Sequence, residues 1–281
     1  MSTENRTILK QKRQRLTLLY KCANIGTVST ENRTNVKKIF KELPSNAVMT
    51  SKWLVEHGVN HDLQKRYERN GWFKRIGTGA YAKLDETFNI DGAIYALQSQ
   101  LGLSIHIGAM TALNEKYGIM HNVPFNRKTL LFGVRGEKLP AWFKNHFKDS
   151  YKLISTDFLP KSLGMVEKGN EYFSTQIPIP ERALLELVYL LPDNAGLKET
   201  YHIMETVATL RPRKIQELLE NCSSIKTKRI FLFLAEKADM PWLGELDVDK
   251  IDLGKGFREI NKGGIVDYKY QIVIDKPEDT I

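Results

Sequence analysis

TSKWLVEHGVNHDLQKRYERNGWFKRIGTGAYAKL, residues 50–84, sets a short apolar-periodic segment, a Gly-Val step, a cationic helical segment and two aromatic-rich strands around Gly-Thr-Gly in immediate succession. Thr50 suits the cap of a helix that turns Trp53 and Leu54 inward, and Gly58 suits its end because glycine tolerates positive φ. Asn60 then caps a further helix. Leu63 and Tyr67 share one face of it, so at 100° per residue Lys65 and Arg69 project from the opposite face, with His61, Gln64 and Glu68 beside them. Asn70-Gly71 stops that helix, and WFKRI, GTG and AYAKL read as a hairpin with Lys74, Arg75 and Lys83 near its tip or edges. Just upstream, Val36, Ile39, Phe40 and Leu43 fall on one helical face that Pro44 closes. Helix, helix, turn, helix, hairpin is the layout of a winged helix-turn-helix, in which three short helices bury one small core and leave the third free to enter a major groove.

Charge agrees with that layout. The chain of 281 residues has a net charge of +9, and residues 1–86 alone hold 17 Lys/Arg against 8 Asp/Glu, while the remaining residues balance at 25 and 25. A basic third joined to a neutral two-thirds predicts a polyanion-binding module on a globular partner domain. Lys and Arg that neutralise phosphates supply sequence-independent affinity, whereas His61, Gln64 and Lys65, near the start of the third helix, are placed to read base edges. The candidate DNA contacts are Lys52, His61, Gln64, Lys65, Arg66 and Arg69 on the helices, and Lys74, Arg75, Thr78, Tyr81 and Lys83 on the hairpin.

The expected fold class is α+β. A basic helical extension over 1–34 precedes the winged helix-turn-helix of 35–86, and a larger mixed α/β domain follows over 87–281. In that domain strands are expected at Ser104–Ile107, Thr129–Val134, Tyr151–Thr156, Tyr172–Ile177 and Tyr270–Ile274, and helices at 91–101, 109–117, 180–191, 198–209, 212–222 and 224–238. Pro180 and Pro212 suit first-turn positions because each lacks the N–H that would be unpaired there. IFLFLA (230–235) is apolar on all sides and belongs at the domain centre. In 1–34, Ile8, Leu16, Leu19, Tyr20 and Ala23 mark one face of a helix; a DNA-contacting arm, a dimerising helix and a solvated helix all fit.

Recognisable catalytic motifs are absent from the sequence. No G-x-S-x-G, H-E-x-x-H, Walker loop or G-x-G-x-x-G occurs, so no catalytic residue, cofactor or metal site is expected. His57 and His61 are at helical ligand spacing, but the Gly58 turn breaks the helix that would align them. Asp247, Asp249 and Asp252 read as turn-forming and capping residues. Cys22 and Cys222 are too far apart in sequence to suggest a disulfide framework or a zinc site. No run of eighteen apolar residues and no hydrophobic signal core at the N-terminus occur, so a cytoplasmic protein without a membrane partner is expected.

The run KKIFKELPSNAVMTSKWLVEHGVNHDLQKRYERNGWFKRIGTGAYAKL resembles the N-terminal domain of the AbiEi antitoxin family in its Trp-Leu…Gly-Val, Arg-Tyr, Gly-Trp-Phe and Ile-Gly-x-Gly-Ala-Tyr pattern. HIGAMTALNEKYGIMHNVPF (106–125), LPAWF (139–143), PERALLEL (180–187), TLRPRKIQELLENC (209–222), IKTKRIFLFLAEKADMPWL (225–243) and YQIVI (270–274) resemble its C-terminal domain in family order, so the likeness runs from about residue 35 to the end. One departure is Ala109, where family members often carry a second glycine after His-Ile-Gly; it is expected to alter a turn and not the fold. The resemblance implies an antitoxin and transcriptional repressor that binds inverted repeats in its own promoter, two copies to a site, and neutralises a cognate AbiEii-like nucleotidyltransferase toxin without needing a stable complex. Within the C-terminal domain, the basic cluster Arg211, Arg213, Lys214, Lys226, Lys228 and Arg229 is the candidate surface for neutralisation. The competing expectation is an enzyme whose C-terminal domain modifies the toxin or its nucleic-acid target through a site without a readable motif.

Overall fold

The structure, a computed structural model, describes residues 37–119 and 128–276. The predicted helix in 1–34, Cys22 and Val36 lie outside the described residues. From the front, the chain forms α1 (37–42), β1 (Met49–Thr50), α2 (Ser51–Glu56), α3 (His61–Arg69), β2 (Phe73–Gly77) and β3 (Ala80–Lys83). The three strands make one antiparallel sheet in the order β1-β3-β2. Ile39, Leu43, Leu54, Val59, Tyr67, Trp72, Phe73 and Tyr81 close a separate small core beneath the helices.

The larger part begins with α4 (Ile90–Tyr95), which runs on into a π turn at Ala96–Gln100. β4 (His106–Ile107), β5 (Thr129–Gly133) and β6 (Tyr151–Ser155) form a mixed sheet in which β4 opposes β5 and β6 runs parallel to it. A parallel neighbour needs a crossover, and α6 (Ala141–His146) lies within that connection; α5 (Ala109–Glu115) precedes the sheet's middle strand. β7 (Met165–Gly169) and β8 (Ser174–Pro178) form a hairpin. Then come α7 (Pro180–Tyr189), α8 (Leu197–Thr206), α9 (Pro212–Asn221) and α10 (Ile225–Lys237). A last small sheet has the order β10-β11-β9, from β9 (Arg258–Glu259), β10 (Ile265–Asp267) and β11 (Ile272–Ile274).

The class is therefore α+β, a small N-terminal lobe followed by a larger C-terminal part. Pro180 and Pro212 do open α7 and α9, and Ile230 to Ala235 are all buried in the main core. α7 is the hub of that core, packed on α5, α8, α9 and α10. Expected strands shorten where register ends: pairing covers only His106–Ile107 and Ile272–Ile274, and the strand expected at Tyr172 starts at Ser174. Helix α6 and strands β7, β9 and β10 had no sequence expectation.

Two lobes meet tightly. The π turn carries Gln100 to the outer edge of β1, where its amide accepts from Thr50 N at 2.8 Å and donates to Val48 O at 2.7 Å. One buried side chain thus completes an edge strand that would otherwise present unpaired backbone groups. A Cβ on Gly92 would lie 2.0 Å from the carbonyl oxygen of Asn46, so only glycine permits this approach of the two backbones. Ala109, at the turn after His-Ile-Gly, has φ +48°. An L-residue there is strained, and the backbone is held by its N–H donating 3.0 Å to Glu186 Oε2.

Candidate nucleic-acid interface

Local chemistry sets the three helices of the front lobe. Thr50 Oγ1 accepts from Trp53 N at 3.2 Å and starts α2. Gly58 at φ +81° ends it, and Val59 N returns 2.8 Å to Leu54 O. Asn60 Oδ1 accepts from Leu63 N at 2.9 Å and starts α3. Tyr67 anchors that helix from below, stacked on Trp72 at 5.6 Å and edge-on to Phe73 at 5.4 Å. With that face inward, His61, Lys65, Arg66 and Arg69 are exposed. Lys65 is 70% exposed with Asp62 3.9 Å away, at the limit of an ion pair. Among the described residues no carboxylate lies within 4 Å of Lys52, Arg66, Arg69, Lys74 or Arg75, the last two exposed on β2. Thr78 is exposed at the hairpin tip, beside Gly79 at φ +79°.

Three predicted contacts belong elsewhere. Gln64 is 1% exposed; its amide donates to Val59 O at 2.9 Å and accepts from Ser51 Oγ at 2.7 Å. It pins the turn between α2 and α3 and cannot meet a base. Three residues before Tyr67, it sits on the inward face, a placement the helical period itself implies. Tyr81 is buried against Phe73, because β3 is the middle strand with Tyr81 in the lobe's core and Ala80 in the main one. Burial pushes the Tyr81 phenol pKa up. Lys83 donates to Leu43 O at 3.0 Å and lies 3.4 Å from Glu86, so it ties α1 to the hairpin. His57 is engaged within its own helix: its Nδ1 is 2.7 Å from Trp53 O, and its ring stacks on Trp53. No group of three or more His, Cys, Asp or Glu is placed to hold a metal among the described residues.

The cationic surface expected in the C-terminal part breaks up. Lys228 and Arg229 are 2% and 1% exposed. Arg229 donates to Leu253 O at 2.7 Å, Gly256 O at 2.6 Å and Gln271 O at 2.9 Å, fastening the segment that leads into β11. Burial from Thr227 to Ala235 encloses the first turns of α10 as well as its apolar centre. Lys226 donates to Leu191 O at 2.6 Å, and burial lowers its pKa. Arg211 meets Glu181 through two guanidinium nitrogens, at 2.8 and 2.9 Å. Burial pushes the Glu181 carboxyl up, but its bonds from Arg211 outweigh this and hold it below the ordinary range. Lys214 pairs with Glu217 at 2.9 Å. Arg213 is exposed, with no carboxylate within 4 Å among the described residues.

A buried cluster escaped the sequence reading. Glu186, fully enclosed, accepts from His106 Nε2 at 3.0 Å, Arg182 Nε at 2.8 Å and Ala109 N at 3.0 Å. Burial alone would push its carboxyl up, and the neighbouring His106 and Arg182 overcome that and hold it low. The i, i+4 spacing of Arg182 and Glu186 was a visible signal; His106 is eighty positions away in sequence. Gly108 permits the approach, since a Cβ there would lie 2.4 Å from Glu186 Oε2. Cys222 is buried and free, its thiol pushed up by burial. Asp252 Oδ1 accepts from Gly254 N at 2.8 Å and Asp247 pairs with Lys250, both local turn contacts. No helix among the described residues is long and apolar enough to cross a membrane.

A model of the N-terminal domain of AbiEi antitoxin transcriptional regulators matches residues 32–125. A model of the transcriptional regulators termed AbiEi antitoxins of type IV toxin–antitoxin systems matches residues 126–275. No curated protein matches the chain. Among solved structures, the RV2827C protein from Mycobacterium tuberculosis superposes with a TM-score of 0.51 at 13% identity, over 88% of this chain and 92% of that one. At that identity the likeness is one of fold.

Proposed function

This chain belongs to the AbiEi family of antitoxin transcriptional regulators of type IV toxin–antitoxin systems, and from that premise we propose that its front lobe is a winged helix-turn-helix that represses its own promoter. The observation that carries this reading is the set of exposed cations Lys52, Arg66, Arg69, Lys74 and Arg75 on α2, α3 and β2, which have no carboxylate within 4 Å among the described residues. α3 enters the major groove with His61 and Lys65, at its first turns, toward base edges. Lys52, Arg66, Arg69, Lys74, Arg75 and Thr78 hold the flanking phosphates and fix register. Two copies occupy an inverted repeat, matching the twofold symmetry of the site. The regulator acts in the cytoplasm and neutralises an AbiEii-like nucleotidyltransferase toxin without a stable complex. In the C-terminal part, Arg213 with the exposed rims of Arg211 and Lys214 is what remains of the cationic surface for that role.

A shift assay on the promoter duplex tests the reading. Replacing Lys65 and Arg69 together by alanine weakens binding, and the slope of log affinity against log salt flattens by about one for each phosphate that is no longer neutralised. Unchanged affinity overturns the assignment of α3. For neutralisation, co-expression of toxin with an Arg213→Glu variant lowers survival if the surface is correct; undiminished rescue removes it.

A further inference from the structure

The first residues of α2 and α3, Ser51 and His61, meet through their side chains, and Gln64 completes a chain of hydrogen bonds with them. Ser51 Oγ is 2.7 Å from Gln64 Oε1 and 3.3 Å from His61 Nδ1. Gln64 Nε2 faces two carbonyl oxygens, Val59 O at 2.9 Å and Ser51 O at 3.3 Å. Only the nitrogen of an amide side chain can donate to a carbonyl, so Gln64 is fixed with its oxygen toward Ser51. At 1% exposure it has no access to solvent partners that would let it turn over.

Each proton in the chain then has one place. Gln64 Oε1 only accepts, so its short contact requires the single proton of the Ser51 hydroxyl. With that proton committed, Ser51 Oγ offers His61 a lone pair alone, and the proton of the second contact must lie on Nδ1. A neutral imidazole carries one ring proton, which leaves Nε2 bare. His61 is exposed, and its Nε2 meets no hydrogen-bond partner among the described residues.

A bare ring nitrogen can only accept. In the major groove the base-edge donors are the exocyclic amines of adenine and cytosine, whereas guanine N7 and O6 and thymine O4 are acceptors. We propose that His61 is a specificity-determining residue whose neutral ring accepts from adenine N6 or cytosine N4, and that Ser51 and Gln64 are positioning residues that hold the ring proton on Nδ1, a proposal that rests on the reading of α3 as the helix in the groove. Gln64 thus acts on base choice from inside the fold without touching a base. One hydrogen bond to a base edge makes the effect about three- to tenfold in affinity, at one position of each half-site.

The proton can be located without DNA. Long-range proton–nitrogen NMR of the full chain at about pH 8, where an ordinary histidine is neutral, identifies the His61 signals as those lost in His61→Ala. The expected pattern is Nδ1 protonated and Nε2 bare; a wild-type ring protonated on Nε2 overturns the proposal. Ser51→Ala lets the proton sit on either nitrogen, and Ser51→Thr, which keeps the hydroxyl, keeps the wild-type pattern. Binding is then measured on promoter duplexes carrying each base in turn at each half-site position. Wild-type protein favours adenine or cytosine over guanine by about three- to tenfold at one position. Ser51→Thr preserves that preference, Ser51→Ala admits guanine equally, and His61→Ala abolishes it. Should Ser51→Ala fail to fold, the wild-type spectrum and the His61→Ala profile still decide. A His61→Ala profile identical to the wild type, while the Lys65→Ala, Arg69→Ala variant loses binding, overturns the base contact and leaves the front-lobe reading standing; so does a preference for guanine that depends on His61. Wild-type protein that binds neither promoter nor scrambled duplex removes the front-lobe reading and the base contact together, whatever the spectrum shows.

Discussion

Lys65 on α3 is 70% exposed with Asp62 only marginally in reach, whereas Arg229 near the start of α10 is 1% exposed and gives its guanidinium to three backbone carbonyls. Both sit in basic helical stretches that look alike as text, KRYER and KTKRI. The first kind of cation keeps its solvation and its field available to a polyanion. The second has left water and recovers the cost only through hydrogen bonds inside the fold. Positive charge in a sequence is therefore a statement about a ligand only when the element bearing it has one face in solvent.

The sharpest way to break this contrast is Arg229→Met. It strands three carbonyls that the guanidinium satisfies, and denaturant melts should show a loss of about 3–5 kcal/mol with no change in the salt slope of DNA binding. A loss below about 1 kcal/mol would place Arg229 with the surface cations. Next, Glu186→Gln takes the negative charge from beside the buried Arg182 and replaces one acceptor oxygen in the contacts of Arg182, His106 and Ala109 N with an amide donor, and should cost about 2–3 kcal/mol at neutral pH. Because the folded carboxyl titrates below its unfolded value, its contribution is present above roughly pH 4.3 and is lost as pH falls through the lowered folded value. The wild type should therefore lose more stability than the variant between about pH 6 and 3, read from urea midpoints; parallel curves would contradict the buried pairing.

Smaller effects sharpen the comparison within the front lobe and at its strained counterpart behind. Gln64→Ala should cost about 1–2 kcal/mol of stability and, with His61 already alanine, leave base preference alone, while its neighbour Lys65→Ala should change stability by less than about 0.5 kcal/mol and weaken DNA binding. A base preference shifted further in that background would return Gln64 to the interface. Ala109→Gly relaxes the positive φ imposed beside Glu186 and should raise stability by about 0.5–1 kcal/mol, the relief of strain exceeding the added unfolded-state entropy; thermal melts that fall would show the turn is unstrained. Smallest, Lys214→Ala removes a solvent-exposed pair with Glu217 and should move the melt by no more than about 0.5 kcal/mol.

Much of the layout was legible because local chemistry writes it locally. Thr50, Gly58 and Asn60 punctuate α2 and α3 as their side chains and φ preferences require. The apolar run of 230–235 could go nowhere but inside. The same periodicity, carried one step further, would have placed Gln64 with Tyr67 rather than with Lys65. Tyr81 and Lys83 were not readable, since nothing in AYAKL reveals that its strand is the middle one of three and is covered on both sides. Nor could PERALLEL disclose that the acid at its seventh position faces a histidine from a strand eighty residues earlier.

By itself the sequence determined the helices and turns of the front lobe, the α+β class and the concentration of net charge in the first third, because capping, periodicity and composition act over a few residues at a time. Only the tertiary structure decided which of the cations remain in water: Lys65, Arg69 and Lys144 do, and Lys228 and Arg229 do not. The reason is that solvation depends on what the rest of the chain lays over a residue, and those covering segments come from positions that no local pattern connects.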